Sequence, residues 1–208
     1  MSWRLAAIFW AAACWAQQYE LGGAIGYGSY RNGTIFGSAG TVTAGIRNRF
    51  AAGAVLGEDL YEHLSGEFRW VYHDGHPFLQ GAGTKTDMQG ESDALVFDLL
   101  FHFKPRDRRI RPFIAAGAGA KDYIVSGPEP FPQPIPAIAS LVATDEWHFL
   151  VSLGGGVKYR LQRHVILRAD FRDYLTTFPK RQLMPAPHGT ARGIFQQFTP
   201  LFGVSYVF

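Results

Sequence analysis

The sequence predicts an all-β fold, an eight-stranded antiparallel up-and-down barrel with its apolar side turned outward, and three observations predict it. Apolar residues recur at every second position in segment after segment. Both signs of charge occupy the opposite side, deep inside the same segments. Short polar turns alternate with long connections along the chain. Period-two patterning marks strands, and strict alternation of connection length marks a meander whose short turns share one end. Charges in mid-strand need an interior in which they pair.

The segments follow in order. In "YELGGAIGYGSY" (18 to 30), Tyr19, Leu21, Ile25 and Tyr27 oppose Glu20, Ala24 and glycines, whereas "FAAGAVLGED" (50 to 59) suits either face. "GEFRWVYH" (64 to 75) sets Phe68, Trp70 and Tyr72 against Glu67, Arg69 and His73. "SDALVFDLLFHF" (90 to 104) sets Leu95, Phe97, Leu99, Phe101 and Phe103 against Ala94, Val96, Asp98, Leu100 and His102. "RPFIAAGAGAKDYIV" (110 to 126) opposes Ile114 and three alanines to Gly117, Gly119, Lys121 and Tyr123. "EWHFLVSLGGGVKYR" (145 to 161) alternates from Trp147 to Tyr159, and "VILRADFRDY" (164 to 178) sets Leu167 and Phe171 against Arg168, Asp170 and Arg172. The last segment, 195 to 208, ends in "FTPLFGVSYVF". Each is near or above the roughly ten residues that a tilted membrane-crossing strand needs. The turns "LYEH", "PRDRR" and "QR" are short, and the other four connections are long, including a proline-rich stretch from 127 to 136 that reads as a stiff loop.

The 208 residues suit one domain. Charged residues are 18% of the chain, below the roughly 25% of a typical soluble domain. The pI of 9.1 accompanies a formal charge of only +3, with bases interleaved among acids, so no nucleic-acid partner is expected. At the start, Arg4, an apolar run from Leu5 to Trp15, and Ala16 form the pattern of a secretory signal peptide. The expected division is therefore a leader over 1–16, cleaved after Ala16, and a barrel domain over 17–208. The only cysteine, Cys14, falls in the leader, so the mature chain is expected to hold no disulfide. A lipoprotein reading of "AAAC" is the alternative.

Alternation alone also fits a soluble sandwich. The aromatic density near the strand ends, matching membrane-interface girdles, and the charges opposite favour a transmembrane barrel. In lipid an all-β chain can span only as a closed barrel with every backbone group paired internally. Eight strands leave a bore about filled by side chains, so Glu67, Arg69, Asp98, Lys121, Lys158, Arg168, Asp170 and Arg172 are expected to form a lumen charge network, with the glycines at 117, 119, 154 and 156 making room for the long Arg and Lys side chains. A soluble lipid-carrier barrel wants an apolar interior and fits these charges poorly.

The final strand, with Phe202, Val204, Tyr206 and Phe208 on its apolar side, resembles the C-terminal signature by which bacterial outer-membrane barrels are recognised during assembly. Residues 17 to 208 resemble the small eight-stranded outer-membrane barrels of the OmpA, OmpX and OmpW type, carried by "GEFRWVY", "RPFIAAGAGAK" and "VSLGGGVKYRL" with "VILRADFRDY". The resemblance implies export to the bacterial outer membrane, insertion by the barrel assembly machinery with periplasmic chaperones, outer-membrane lipids as partners, and a monomer. The likeness is specific for architecture and not for activity, since that superfamily includes structural anchors, adhesins, small-solute conduits and lipid-modifying enzymes; the role expected here is a structural or surface-interaction one in the envelope. A narrow porin-like conduit for small or hydrophobic solutes is the alternative, and a lipid A-modifying enzyme is third. No cell-wall-binding segment follows the last strand, so a tether is not expected.

Catalysis needs a nucleophile, a base and an orienting acid within reach. His188 in "PHGTAR" and Ser205 suggest a deacylase pair, yet no Asp or Glu follows Asp173, so the chain is expected not to be an enzyme. "HDGH", from His73 to His76, reads as solvated surface before it reads as a two-imidazole metal site. No cofactor is expected.

Overall fold

The described residues form fifteen strands: β1 (Tyr19–Tyr30), β2 (Gly33–Gly37), β3 (Gly40–Ile46), β4 (Arg49–Asp59), β5 (Leu64–Asp74), β6 (Pro77–Gly81), β7 (Thr84–Asp87), β8 (Gln89–His102), β9 (Ile110–Ser126), β10 (Ala139–Leu141), β11 (Asp145–Arg160), β12 (Val165–Thr177), β13 (Leu183–Pro185), β14 (Thr190–Ala191) and β15 (Ile194–Val207). The computed structural model describes residues 18–208 except 82, 134 and 192. The leader expectations at Arg4, Cys14 and Ala16 lie outside the described residues.

Eight strands close into an antiparallel barrel in the order β1-β15-β12-β11-β9-β8-β5-β4. They are the eight long segments of the sequence reading, with ends displaced by one or two residues. The last strand closes on the first: Glu20 faces Val207 and Leu21 faces Tyr206, and Tyr19 and Phe208 exchange backbone hydrogen bonds of 3.2 and 3.1 Å. Closure removes both sheet edges, which satisfies the backbone inside a bilayer.

Side chains obey the pleat. Along β8, Ala94, Val96, Asp98, Leu100 and His102 are buried while Leu95, Phe97, Leu99 and Phe101 are exposed. The ambiguous β4 resolves likewise, with Ala51 and Val55 inward and Leu56 outward. Every barrel strand adds an exposed apolar residue to the outer surface, among them Leu21, Leu56, Phe68, Phe97, Ile114, Leu153, Leu167 and Phe202. A continuous apolar surface on this scale is far beyond what a soluble monomer shows to water. Large outward residues sit beside small ones: Phe97 faces Ala118 and Leu99 faces Ala116 across β8 and β9. Leu99 lies mid-band, so Leu99→Arg is expected to destabilise the folded protein in vesicles by about 2–4 kcal/mol, the cost of a cation near the bilayer midplane. An unchanged urea midpoint would remove this face from the hydrocarbon.

The four long connections are the main departure from the sequence reading. They are not irregular loops. β14, β2, β3, β6 and β7 form a five-stranded sheet, and β10 pairs with β13. Together they build a cap over the long-connection end of the barrel. The cap has its own apolar core, in which Ile35, Val42, Leu79, Ile138, Leu141 and Leu183 pack with Tyr30, Tyr123, Phe178 and Phe195 from the barrel strands and their ends. The proline-rich stretch is tied into it through Ile135, buried in that core, and through Gln133, whose side chain exchanges hydrogen bonds of 2.8 and 3.2 Å with the backbone of Leu141.

Candidate functional site

The lumen collects the polar chemistry of the chain, because inward positions alternate with outward ones on all eight barrel strands. Seven of the eight sequence-predicted charges meet in one cluster. Arg168 on β12 reaches Glu20 at 3.1 Å, Glu67 at 2.8 Å and Asp170 at 2.8 Å. Arg69 on β5 reaches Asp170 at 2.7 Å and also pairs with Glu67. Arg172 lies 3.4 Å from Asp98 and 3.7 Å from Glu67, with its guanidinium over the Phe113 ring. Lys158 on β11 pairs with Glu20 at 2.5 Å.

Glu20, which the sequence reading placed on the inward side of its strand but not in the network, supplies the missing acid. Its parity was the available signal, hidden by the surrounding glycines. With it, the cluster holds Glu20, Glu67, Asp98 and Asp170 against Arg69, Lys158, Arg168 and Arg172, and the charges balance. Balance matters here. Buried ions lose their hydration, and only mutual pairing offsets that loss.

Of the four glycines expected to make room for Arg and Lys side chains, only Gly154 lies against one, a Cβ there coming within 2.9 Å of Arg172 Cδ. A Cβ on Gly117 would strike the Asp98 carboxylate and one on Gly156 would come within 2.8 Å of Asp170 Oδ1, so these two leave room for acids. All four also admit the backbone of a neighbouring strand, since a Cβ on Gly117, Gly119, Gly154 or Gly156 would strike the carbonyl of Phe97, Leu95, Phe171 or Ala169 respectively.

Lys121 is the exception among the eight. It is fully buried but sits apart from the cluster, toward the cap, and makes no ion pair among the described residues. Its ammonium donates to Gln197 Oε1 and to Tyr30 Oη at 3.5 Å, and lies 5.1 and 4.9 Å from the rings of Tyr30 and Tyr123. Neutral acceptors and ring faces replace the carboxylate that a buried cation usually takes.

At the short-turn mouth, Ser65 Oγ donates to Asp59 Oδ1 at 2.5 Å and lies 2.9 Å from His102 Nε2, while Arg111 holds Asp59 Oδ2 at 3.2 Å. These are the residue types of a nucleophilic triad, connected in another order. The acid binds the serine, and His102 Nδ1, where an orienting acid belongs, has no hydrogen-bond partner among the described residues. The space among Glu20, Asp59, Ser65, Arg111 and Lys158 is about 20 Å³, room for about one water.

The other candidates do not assemble. Ser205 lies on β15 opposite Gly22 and Ile166, near the short turns, whereas His188 lies in the cap with φ of 69°. His73 is buried in the lumen with Nε2 3.3 Å from Thr199 Oγ1, while His76 sits 3.7 Å from Asp74 at the surface. The expectation that both imidazoles are solvated surface therefore fails at His73, whose parity on β5 turns it inward. Among the described residues no three His, Cys, Asp or Glu side chains gather to hold a metal. Phe202, Val204, Tyr206 and Phe208 all lie exposed on the outer face of the closing strand and just beyond it.

No family model matches the sequence, and no curated protein matches it. Solved structures do. Neisserial surface protein A superposes with a TM-score of 0.53 at 12% identity, over 91% of this chain and 96% of that one. The outer membrane protein AlkL, determined in DMPC lipid bilayers, gives 0.53 at 16% identity, over 91% and 90%. The fold is that of the small outer-membrane β-barrels. A major outer membrane protein of Thermus thermophilus extends the likeness, with 0.52 at 11% identity over 93% of this chain and 100% of that one. In that fold the apolar face of this chain is turned outward and its ion cluster lies in the lumen.

Proposed function

We propose that the protein is an integral outer-membrane barrel with a structural or surface-contact role, that it holds its cap outside the cell, and that it neither conducts solutes nor catalyses a reaction. One observation carries the proposal: the bore is blocked twice, by a balanced ion cluster toward the short turns and by the cap with its packed apolar core at the other end. An eight-stranded bore has little spare volume, and here ionic side chains fill it. The absence of catalysis is supported by the separation of His188 from Ser205 and by the wiring of Ser65 to Asp59. The proposed partners are outer-membrane lipids and, during biogenesis, periplasmic chaperones and the barrel assembly machinery. Phe202, Val204, Tyr206 and Phe208 are the proposed recognition stripe, and the working form is a monomer.

Three measurements test this reading. The protein should fractionate with the outer membrane and migrate anomalously on gels until boiled; recovery in the soluble periplasm would end the membrane reading. Planar bilayers containing it should show no discrete conductance steps, and steps from the wild-type protein would replace the present reading with that of a conduit. Lipid A mass spectra should be unchanged on expression.

A further inference from the structure

Two of the three short turns carry an unbalanced charge that neither the lumen nor the cap uses. The turns between β8 and β9 and between β11 and β12 hold Lys104, Arg108, Arg109 and Arg163 against one acid, Asp107, while Arg106 of the first turn pairs with Asp59 at 3.6 Å. Because β9 pairs with β11, the two turns are neighbours on one side of the barrel mouth. Lys104, Arg108, Arg109 and Arg163 are exposed. Asp107 lies 3.8 Å from Arg108, in the open.

The turn from 103 to 109 is held rigidly. Arg160 donates from its backbone to the Arg109 carbonyl at 2.8 Å and from its side chain to the Arg106 carbonyl at 2.6 Å. On the other side, Arg106 donates to the Asp59 carbonyl at 2.8 Å. Arg109 is further placed by the Tyr159 ring, 4.9 Å away. Exposed Phe101, Phe103, Ile110 and Leu161 border these cations, so the charges stand just beyond the aromatic and aliphatic edge of the apolar band. In a bilayer that is headgroup depth, where Lys and Arg extend from an apolar stem to the phosphates. At the far end of the same strands acids replace the bases: Asp93 and the buried Asp122 are direct partners across β8 and β9.

We propose that this basic arc is a binding surface for the headgroups of anionic phospholipids in the leaflet facing the short turns. The inference rests on the membrane reading above. Charge complementarity selects the occupant, because a phosphate diester bearing net negative charge satisfies several fixed donors at once, whereas a zwitterionic headgroup returns a cation to the same cluster. Attraction of this kind is short-ranged and salt-sensitive.

The test uses the mature chain in phosphatidylcholine vesicles doped with spin-labelled phosphatidylglycerol or spin-labelled phosphatidylcholine, with the motionally restricted fraction read by electron paramagnetic resonance. The wild type should retain phosphatidylglycerol over phosphatidylcholine by about fivefold at low salt, the ratio that one engaged basic side chain supplies. The preference should collapse at a salt concentration of about 1 M, where the screening length falls to about 3 Å. Combining Lys104→Gln, Arg108→Gln, Arg109→Gln and Arg163→Gln should bring it close to unity, while Lys85→Gln, Lys180→Gln and Arg181→Gln together, in the cap, should leave it intact. Equal retention of both lipids by the wild type, persistence of the preference in the fourfold variant, or its loss in the cap variant would each overturn the proposal. Failure of the protein to enter vesicles in a heat-modifiable form would overturn the membrane reading along with it, so the two failures are told apart.

Discussion

Arg168→Met is expected to lower the stability of the folded barrel by about 3–5 kcal/mol, the usual consequence of removing one partner from a buried ion cluster. Arg168 is a hub: among the described residues it is the one cation that touches all three of Glu20, Glu67 and Asp170, and its loss leaves an uncompensated negative charge in the lumen. Methionine fills much of the same volume, so the effect reports charge and not a cavity. Urea unfolding in lipid vesicles, followed through the fluorescence of Trp70 and Trp147, measures it. Adding Glu20→Gln restores neutrality and should recover part of the loss, with a coupling of about 0.5–3 kcal/mol. A single variant as stable as wild type would mean that the cluster is hydrated and open, and the closed-lumen reading would fall with it.

Leu79→Ala should act at the other end. Leu79 on β6 is fully buried in the cap core, and truncating such a residue costs about 2–5 kcal/mol. Because the barrel ladder does not run through it, the loss should appear as local opening. Amide exchange at Ile35 and Val42 is expected to quicken by about 30-fold or more, with barrel amides unchanged and heat-modifiability retained. Uniform acceleration across barrel and cap would show that the two unfold as one unit.

What the sequence revealed and what it hid follow from the range of the interactions concerned. The long strands were legible because alternation is local: Asp145–Arg160 differs from the expected 145 to 161 by one residue. "FAAGAVLGED" was ambiguous because alanine and glycine fit either side, and only its pairing with β1 and β5 decides. The cap was invisible for a different reason. β2, β6 and β10 have five, five and three residues, too short for a period to register, and Ile35, Val42 and Leu79 are buried only by residues from other connections. In the lumen, parity gave the facing of all eight predicted charges but not their height along the barrel. Lys121 consequently looked like a member of the cluster, though it stands opposite Ala94 and His148, beyond the cluster on the cap side.

The pairing of β14 with β2 has a kinetic meaning. Ala191 faces Ile35 and Thr190 faces Phe36, and these strands belong to the connections that lead into β15 and out of β1. The bridge therefore spans the junction where the first and last barrel strands meet. That junction joins the parts of the chain most distant in sequence and is the natural place for a barrel to unzip. With the bridge in place, the cap end of the junction can separate only after the cap has come apart, so the cap acts as a clasp that lengthens the lifetime of the closed ring as well as covering its bore.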